Sequence, residues 1–209
     1  MIPQQTYNAL LAQKVIKEFA NRNIQGFYVD SKEEALKKVF EIIPKDSLIS
    51  WGGSVTLKET GVLDYLKNGG YNILDPSDRS KGGVEMDRIA HEALSADYFL
   101  MSSNAIAATG ELVNVDGIGN RVASLIYGPK NVIVIAGINK VEQNLDQAIL
   151  RAKNKAASLV LLSYIQNEIL SFDELLNKAH GTVSQLVITT MSIFKDRIKV
   201  ILVGESLGY

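Results

Sequence analysis

The sequence predicts an α/β protein built on a mainly parallel sheet. Short apolar segments such as Tyr98–Met101 and Asn131–Ala136 alternate with segments of helical spacing, the order expected of strand–helix–strand units. These strands lack a polar alternation, which indicates that the sheet is buried on both faces. The 209 residues, 46% of them hydrophobic, are enough for one sizeable core. We therefore expect a single domain over residues 1–209.

Helix caps and apolar spacing predict the elements of the first half. A helical pattern begins at Pro3, and we expect the segment up to about residue 25 to pack as a helix on the domain. Ser31 and Glu34 form a capping box for a second helix, which Pro44 ends. Further helices are expected after Ser54 and over residues 84–94. Strands are expected at 26–30, 47–50, 71–74 and 98–101.

The second half is expected to contain a hairpin, a central strand and two closing strands. The hairpin would join residues 105–108 and 111–115 through Thr109 and Gly110. The two closing strands, at 185–190 and 197–203, are expected to be antiparallel. Residues 158–184 are ambiguous apart from a helix expected around 172–179. The remaining expected elements are a short helix at 120–126, the clearest strand at 131–136 and a helix over 141–157.

Composition excludes several classes of function. The formal net charge of −1, with basic residues scattered along the chain, does not fit a nucleic-acid binder. There is no membrane-length apolar run and no secretory pattern at the N-terminus, so we expect a cytoplasmic protein. The absence of cysteine excludes thiolate catalysis and iron–sulfur clusters carried by this chain. His91 and His180 lack metal-ligand spacing, so no metal site is predicted.

A glycine-rich loop after the second strand is the first candidate site. Gly52 and Gly53 allow the backbone to approach a ligand closely, and Ser54 and Thr56 begin a helix whose free N–H groups favour an anion. In doubly wound sheets, ligands bind outside the carboxyl ends of the strands, where this loop lies. The alternative is a structural turn in which Ser54 is a plain N-cap.

The polar segment from residue 104 to 121 is the second candidate. Its density of polar groups among apolar strands exceeds that of an ordinary connection. A carboxylate could act as general base or nucleophile, and Arg121 could bind an anion or pair with either acid. The turn-forming dipeptides of the segment also serve backbone geometry. The candidate catalytic residues are Glu111 and Asp116, and the candidate ligand-binding residues are Asn104, Asn114, Gly119, Asn120 and Arg121.

Three other polar features lie outside these segments. Asn139 and Lys140 follow the clearest strand, and ligand contact and turn formation are both open for them. His91 is interpreted as a surface helix residue and His180 as a partner of a helix C-terminus. The charged loop over residues 75–81 is either a lid over the cleft or a solvated loop.

Several short sequence motifs between residues 103 and 140 resemble those of the LUD-domain family of lactate-utilisation proteins. The motif Ser54-Val-Thr-Leu57, in the helix expected after the glycine loop, and the final motif Val203-Gly-Glu-Ser-Leu-Gly208 fit the same family. The resemblance covers most of the chain. The matching words are Ser103-Asn-Ala-Ile106, Gly110-Glu-Leu-Val-Asn114, Asp116-Gly117, Gly119-Asn-Arg121, Tyr127-Gly-Pro129 and Gly137-Ile-Asn-Lys140.

This resemblance implies both a fold and a role. The fold would be a three-layer α/β/α arrangement similar to ribose-5-phosphate isomerase, glucosamine-6-phosphate deaminase and the coenzyme A transferases. The role would lie in bacterial oxidation of L-lactate to pyruvate alongside iron–sulfur partner proteins. The chain lacks the cysteine-rich stretch of short relatives after Ala156–Ala157, which argues against a redox role of its own. Its Ala107-Ala108-Thr109 turn also differs from the hydroxyl and acidic residues of relatives.

Three hypotheses follow. The first is a protein that binds a small anionic metabolite or cofactor, of unknown identity, between the Gly52–Ser54 loop and the Asn104–Arg121 segment. It would serve lactate oxidation as a subunit or accessory factor. The second is a non-catalytic scaffold or regulator that docks onto an iron–sulfur partner. The third is a stand-alone isomerase- or transferase-like enzyme. A homodimer is compatible with each of them.

Overall fold

A computed structural model describes residues 3–78, 80, 82–166 and 183–209. Its strands are β1 (Gln25–Val29), β2 (Leu48–Trp51), β3 (Asn72–Leu74), β4 (Tyr98–Met101), β5 (Ala105–Ala107), β6 (Leu112–Asp116), β7 (Asn131–Gly137), β8 (Val141–Glu142), β9 (Gln185–Thr189) and β10 (Ile198–Val203). Its helices are α1 (Pro3–Ala20), α2 (Lys32–Ile42), α3 (Val55–Glu59), α4 (Val62–Asn68), α5 (Gly82–Glu92), α6 (Asn120–Tyr127), α7 (Leu145–Leu150) and α8 (Ala157–Gln166).

The main sheet confirms the predicted fold class. In the described part of the chain it has six strands in the order β1-β10-β7-β4-β2-β3, and every neighbouring pair is parallel. Side chains alternate along β7: Val132 and Val134 join the core that contains α1, whereas Ile133 and Ile135 join the core that contains α2, α3 and α4. Both faces of the sheet are therefore covered by helices, which makes three layers.

A second, smaller sheet has the order β8-β5-β6-β9. The predicted hairpin is present, since β5 and β6 are antiparallel with Ala105 opposite Val113. Ala105, Ala107 and Val113 pack on Ala148 of α7 and on Ala152, which lies in the π-helical turn Arg151–Ala156 between α7 and α8. This sheet extends the carboxyl end of β4, so it lies beside the edge where the candidate segments meet.

Two predictions about elements are wrong. The closing strands do not pair with each other: β9 joins β6 in the small sheet, and β10 lies between β1 and β7 in the main sheet. The helix expected over 141–157 begins only at Leu145, because Val141 and Glu142 pair with β5. Local spacing cannot distinguish such cases, since both depend on partners distant in sequence.

Helix boundaries follow the predicted caps. Ser31 is the N-cap of α2, and its hydroxyl accepts a hydrogen bond from the Glu34 amide at 3.3 Å. The Glu34 carboxylate accepts from the amide of Asp30, one residue before the cap. α1 buries Val15 and Phe19 against the main sheet. The helix expected around 172–179, His180, Arg79 and Lys81 lie outside the described residues.

None of the helices in the described residues is both long enough and apolar enough to span a bilayer.

Candidate functional site

Four neighbouring strands of the main sheet end at the same edge. Loops or short turns follow β10, β7, β4 and β2 there, and these strands are adjacent in that order. The loops bring together Thr56 near the start of α3, Ser102 after β4, Lys140 after β7 and Gly208 beyond β10. The carboxyl edge of a parallel sheet is where such folds bind ligands.

Lys140 is the centre of this edge. Its side chain is buried, with only 3% of the residue exposed. The ammonium Nζ donates hydrogen bonds to Thr56 Oγ1 at 2.9 Å and to Ser102 Oγ at 3.0 Å. Burial, with the positive charges of Arg151 and Arg121 nearby, lowers the pKa of the Lys140 amine from 10.5 to about 7, opposed by Glu59. Near neutral pH the charged and the neutral form of the Lys140 amine are therefore both populated.

The two terminal nitrogens of Arg121 donate four hydrogen bonds to the protein. Nη1 donates to Ser102 O and Asn114 Oδ1, both at 2.9 Å. Nη2 donates to Asn104 Oδ1 at 2.8 Å and to Val115 O at 2.5 Å. Nε lies 3.6 Å from Asp116 Oδ2. Four of the five N–H groups of the guanidinium are thus hydrogen-bonded to the protein, and the residue fixes the loop after β4 onto β6.

Asp116 supports a helix as well as the arginine. Its carboxylate accepts from the amides of Gly119 at 3.2 Å and Val122 at 3.3 Å, which caps the N-terminus of α6. Of the two acids considered as partners of Arg121, Asp116 is the one beside it. Asn120 lies in the first turn of α6, where its carbonyl accepts from the Ser124 hydroxyl. The carboxylate of Asp116 is thus engaged in helix and arginine contacts.

The two asparagines at this edge hold backbone and arginine together. Asn104 Oδ1 also accepts from the Val115 amide at 3.1 Å. Asn114 is fully buried, and its Nδ2 has no hydrogen-bond partner in the described part of the chain. A buried amide donor without a partner costs free energy, so such a group commonly marks a site that a ligand or water completes.

The two predicted segments do meet. A Cβ on Gly52 would lie 2.7 Å from Arg121 Cγ, so the glycine loop packs directly on the arginine. Gly53 is exposed and has open space around its Cα. The Ser54 hydroxyl caps α3 by accepting from the Leu57 amide at 3.2 Å. The helix start after Ser54 was expected to favour an anion, but α3 has only five residues, so its dipole is small.

Glu111 lies away from this edge. It is at the opposite end of β6 from Asp116 and pairs with Arg22 at 2.5 Å. Thr109 donates to the same carboxylate at 2.5 Å. Arg22 also donates to the carbonyls of Thr109 and Thr190, so the group ties α1 to the hairpin and to the end of β9. The structure therefore does not bring Glu111 together with the other candidate residues.

Arg151 belongs to the edge but was missed by the sequence analysis. Only 3% of its side chain is exposed, and it begins the π-helical turn after α7. Nε donates to Asn139 O at 3.2 Å, and Nη1 donates to Asn104 O and, at 3.4 Å, to Tyr209 O. Nη2 has no partner within the described residues. Its sequence context, a basic residue followed by Lys153 and Lys155 in a helical segment, carries no signal that it points inward.

The final segment covers Lys140. The Leu207 amide donates to Asn139 Oδ1 at 3.1 Å, and the Gly208 amide donates to Glu59 Oε2 at 2.7 Å. Gly208 has a φ of 59°, and a Cβ there would lie 2.4 Å from Thr56 Oγ1 and 3.3 Å from Lys140 Nζ. Only glycine fits this close approach. The side chain of Asn139 thus anchors the cover.

A surface cavity of about 370 Å³ adjoins the same edge beside Asn139. It lies between Tyr7 and Asn8 of α1 and the loops that follow β7 and β10. A second cavity of similar volume lies at the far end of α1, beside Arg22. No group of three or more His, Asp or Glu side chains able to hold a metal ion occurs in the described ranges. His91 is exposed, and its Nδ1 lies 2.8 Å from Asp87 O.

Comparisons with known proteins agree with this architecture. The family model of the LUD domain matches residues 12–203. The fold is similar to that of a DUF162 family protein from Deinococcus radiodurans, with a TM-score of 0.57 and 11% identity over 94% of this chain and 98% of that chain. A weaker match, with a TM-score of 0.34 and 17% identity, is eIF2B delta from Chaetomium thermophilum, over 68% of this chain and 55% of that chain. No curated protein matches the sequence.

Proposed function

The chain belongs to the LUD domain family, and from this premise we propose that it binds a small anionic metabolite or cofactor at the carboxyl edge of its main sheet. The proposed role is cytoplasmic, in the oxidation of L-lactate to pyruvate, as a subunit or accessory factor. The lactate role rests on the family, and the place of binding rests on the geometry of the edge.

One observation carries the binding proposal. Lys140 is buried at the carboxyl edge, its hydrogen-bond partners among the described residues are two hydroxyl groups, and two arginines act on its charge. Removing a cation from water is costly unless an opposite charge compensates it. Among the groups acting on Lys140, the cations Arg151 and Arg121 outweigh the acid Glu59. An incoming anion would supply the missing negative charge.

The proposed roles divide the candidate residues into two groups. Lys140, Thr56 and Ser102 would face the ligand, and the open space at Gly53 would give access beside them. The other polar residues would hold the edge in shape without touching the ligand. That second group comprises Asn104, Asp116, Asn120, Arg121 and Asn139, with Gly119 in the turn before α6, whereas the unpartnered Nδ2 of Asn114 remains a donor for a ligand or water.

Thermal-shift measurements test the proposal, since a ligand that binds the folded state raises the apparent melting temperature. Sodium salts of lactate, pyruvate, a sugar phosphate and inorganic phosphate would be titrated at constant ionic strength. At least one is expected to stabilise the wild type and to have no effect on Lys140→Met. Lys199→Met is the matched control, because Lys199 is a half-buried lysine at the start of β10, the opposite edge. Equal shifts in wild type and Lys140→Met would refute the site.

An exposed apolar loop favours a second candidate, the scaffold that docks on an iron–sulfur partner. Met191, Ile193 and Phe194 are exposed by 53%, 88% and 67% between β9 and β10. Neighbouring exposed apolar side chains often mark a protein contact. Replacing Ile193 and Phe194 by serine should then abolish co-elution with the partner, whereas unchanged co-elution would argue against docking through this loop. Sedimentation of the wild type and of the serine variant, each alone, would show whether the loop supports a homodimer instead.

A further inference from the structure

We infer that the cavity between α1 and the loops after β7 and β10 binds an uncharged planar nitrogen heterocycle of the nucleobase type. This site is separate from the anion site proposed at Lys140 and does not depend on the proposed function. Three features of the cavity support it. They are the absence of charge among its described lining residues, the fixed orientation of two amide side chains, and an exposed tyrosine beside an apolar floor.

One wall of the cavity is a single face of α1. Gln4, Tyr7, Asn8 and Leu11 line it, and their spacing of three and four residues places them on the same side of the helix. The facing wall consists of the loops that follow β7 and β10. The volume of about 370 Å³ lies near the lower end of the range for small-molecule sites, roughly 300–1,000 Å³, which suits one ring system with a sugar attached.

The lining of this cavity is uncharged. Its polar residues, among those described, carry amide or hydroxyl groups and are Gln4, Tyr7, Asn8, Asn139 and Ser206. An ion bound there would lose water without gaining an opposite charge, which is unfavourable. The cavity at the far end of α1 differs, because Glu18 and Arg22 line it. We therefore expect the part of the ligand that lies between α1 and the two loops to be neutral.

Backbone groups fix the orientation of two amide side chains in the cavity. The carbonyl of Gly204 accepts from Asn8 Nδ2 at 3.0 Å, so Asn8 Oδ1 is the atom that accepts from Gln4 Nε2 at 2.9 Å. Gln4 Oε1 then remains as an acceptor. On the facing wall the Leu207 amide donates to Asn139 Oδ1 at 3.1 Å, which leaves Asn139 Nδ2 as a donor. Neither remaining atom has a hydrogen-bond partner among the described residues.

A nucleobase is complementary to this acceptor and this donor. Its edges carry N–H donors beside ring-nitrogen or carbonyl acceptors. Such a ring can donate to Gln4 Oε1 and accept from Asn139 Nδ2 without carrying a charge. The cavity thus offers one partner of each kind, on opposite walls.

An aromatic ring and an apolar floor favour a planar ligand. The Tyr7 side chain lies at the cavity and is 61% exposed, so a flat ring can stack on it. The floor is formed by Leu11, Ile138 and Val141, which belong to the core between α1 and the main sheet. A free sugar carries hydroxyl groups around its whole ring, and those over the apolar floor would lose hydrogen bonds to water. A heterocycle is therefore favoured over a sugar.

Isothermal titration calorimetry on the full chain tests the ligand class. The probes are adenosine, uridine, ribose and adenosine doubly methylated on its exocyclic amine. Both nucleosides are expected to bind and ribose is not. The methylated compound keeps the ring but lacks the N–H donors of the amine, so it should bind about 10-fold more weakly than adenosine.

Adenosine monophosphate separates two sources of such a ring. An affinity equal to that of adenosine would support the inference with a nucleoside as the ligand. Tighter binding that is lost in Lys140→Met would support it with a nucleotide whose phosphate reaches the carboxyl edge.

Two positions test the location of the ring. Tyr7→Ala should weaken adenosine binding by roughly 5- to 150-fold, the value of one base stacked on an aromatic side chain, whereas Tyr7→Phe should weaken it by less than about 10-fold. Asn139→Asp keeps the acceptor for the Leu207 amide but replaces the donor Nδ2 by an oxygen, so it should weaken binding by about 10-fold or more. Tyr127→Ala is the matched control, because Tyr127 is an exposed tyrosine of α6 outside the cavity lining.

Each contrary outcome has a distinct meaning. Equal adenosine affinity in the wild type, Tyr7→Ala and Asn139→Asp would overturn the site, and circular dichroism would confirm that the variants are folded. Ribose binding as tightly as adenosine would overturn the ligand class, and no binding of either nucleoside would overturn both. None of these results bears on the anion site, which is measured with lactate, pyruvate and phosphates and depends on Lys140.

Discussion

Replacing Lys140 by Met should change how stability depends on pH. The pKa of the buried amine is lowered from 10.5 to about 7 in the folded protein. Between these two values the unfolded chain binds a proton that the folded chain does not, so the free energy of unfolding of the wild type rises with pH. Below pH 7 both states are protonated, and this contribution to the slope disappears.

The size of the effect follows from the same two pKa values. At about 1.4 kcal/mol per pH unit, the cost of keeping this ammonium buried is about 5 kcal/mol below pH 7 and is lost at high pH. Lys140 is almost fully buried, so solvent screening reduces this figure little. The methionine variant avoids the cost. Thr56 Oγ1 and Ser102 Oγ lose one donor each but keep hydrogen bonds to Leu207 O and Ser103 O.

Urea denaturation of wild type and Lys140→Met at several pH values measures this difference. The free energy of unfolding of the wild type, relative to the variant, should increase by about 4 kcal/mol from pH 7 to pH 10. The control is Lys37→Met, which removes an exposed lysine from α2 and should follow the wild-type curve. If the curves of wild type and Lys140→Met run parallel over this range, the amine is not held neutral by burial and the reasoning fails.

Three further predictions concern the edge and its surroundings. Gly52→Ala should destabilise the fold by about 1–3 kcal/mol because its Cβ would collide with Arg121, whereas Gly53→Ala, in open space, should change stability by under about 0.5 kcal/mol in the same urea assay. Arg121→Met should cost roughly 3–5 kcal/mol by thermal denaturation, since four oxygens each lose one hydrogen bond from a charged donor. Arg22→Met should destabilise the fold by about 1–3 kcal/mol, because it removes the partner of Glu111. Glu111→Gln should leave any anion affinity measured by calorimetry unchanged, since this pair lies at the far end of β6. A weaker affinity in Glu111→Gln would mean that Glu111 contributes to the site.

Local signals in the sequence predicted much of the main sheet and its helices. The apolar runs without polar alternation at β2, β4 and β7 became parallel strands, as expected for strands buried on both faces. The capping box at Ser31 correctly predicted the start of α2. The hairpin of β5 and β6 was also predicted, since its strands and turn are neighbours in sequence. Each of these predictions needed only residues close together along the chain.

The polar segment shows how far such prediction extends to a site. Sequence reasoning placed Asn104, Asn114, Asp116 and Arg121 in one region, and the structure brings them into one hydrogen-bonded group. Which acid pairs with the arginine was left open, because residue spacing alone does not show which end of β6 faces α6. The structure places Asp116 beside Arg121 and Glu111 about one strand length away.

The sequence by itself determined the fold class, the family and the segments that meet at the carboxyl edge, because strand patterns, helix caps and short family motifs are properties of neighbouring residues. The tertiary structure alone decided that β9 and β10 belong to different sheets, that Arg121 donates four hydrogen bonds within the protein, and that Arg151 carries a buried donor without a partner in the described residues. The physical reason is that a strand's partner and the environment of a buried charge depend on groups far apart in the chain. Lys140, for example, is held by Thr56, which lies 84 positions earlier in the sequence.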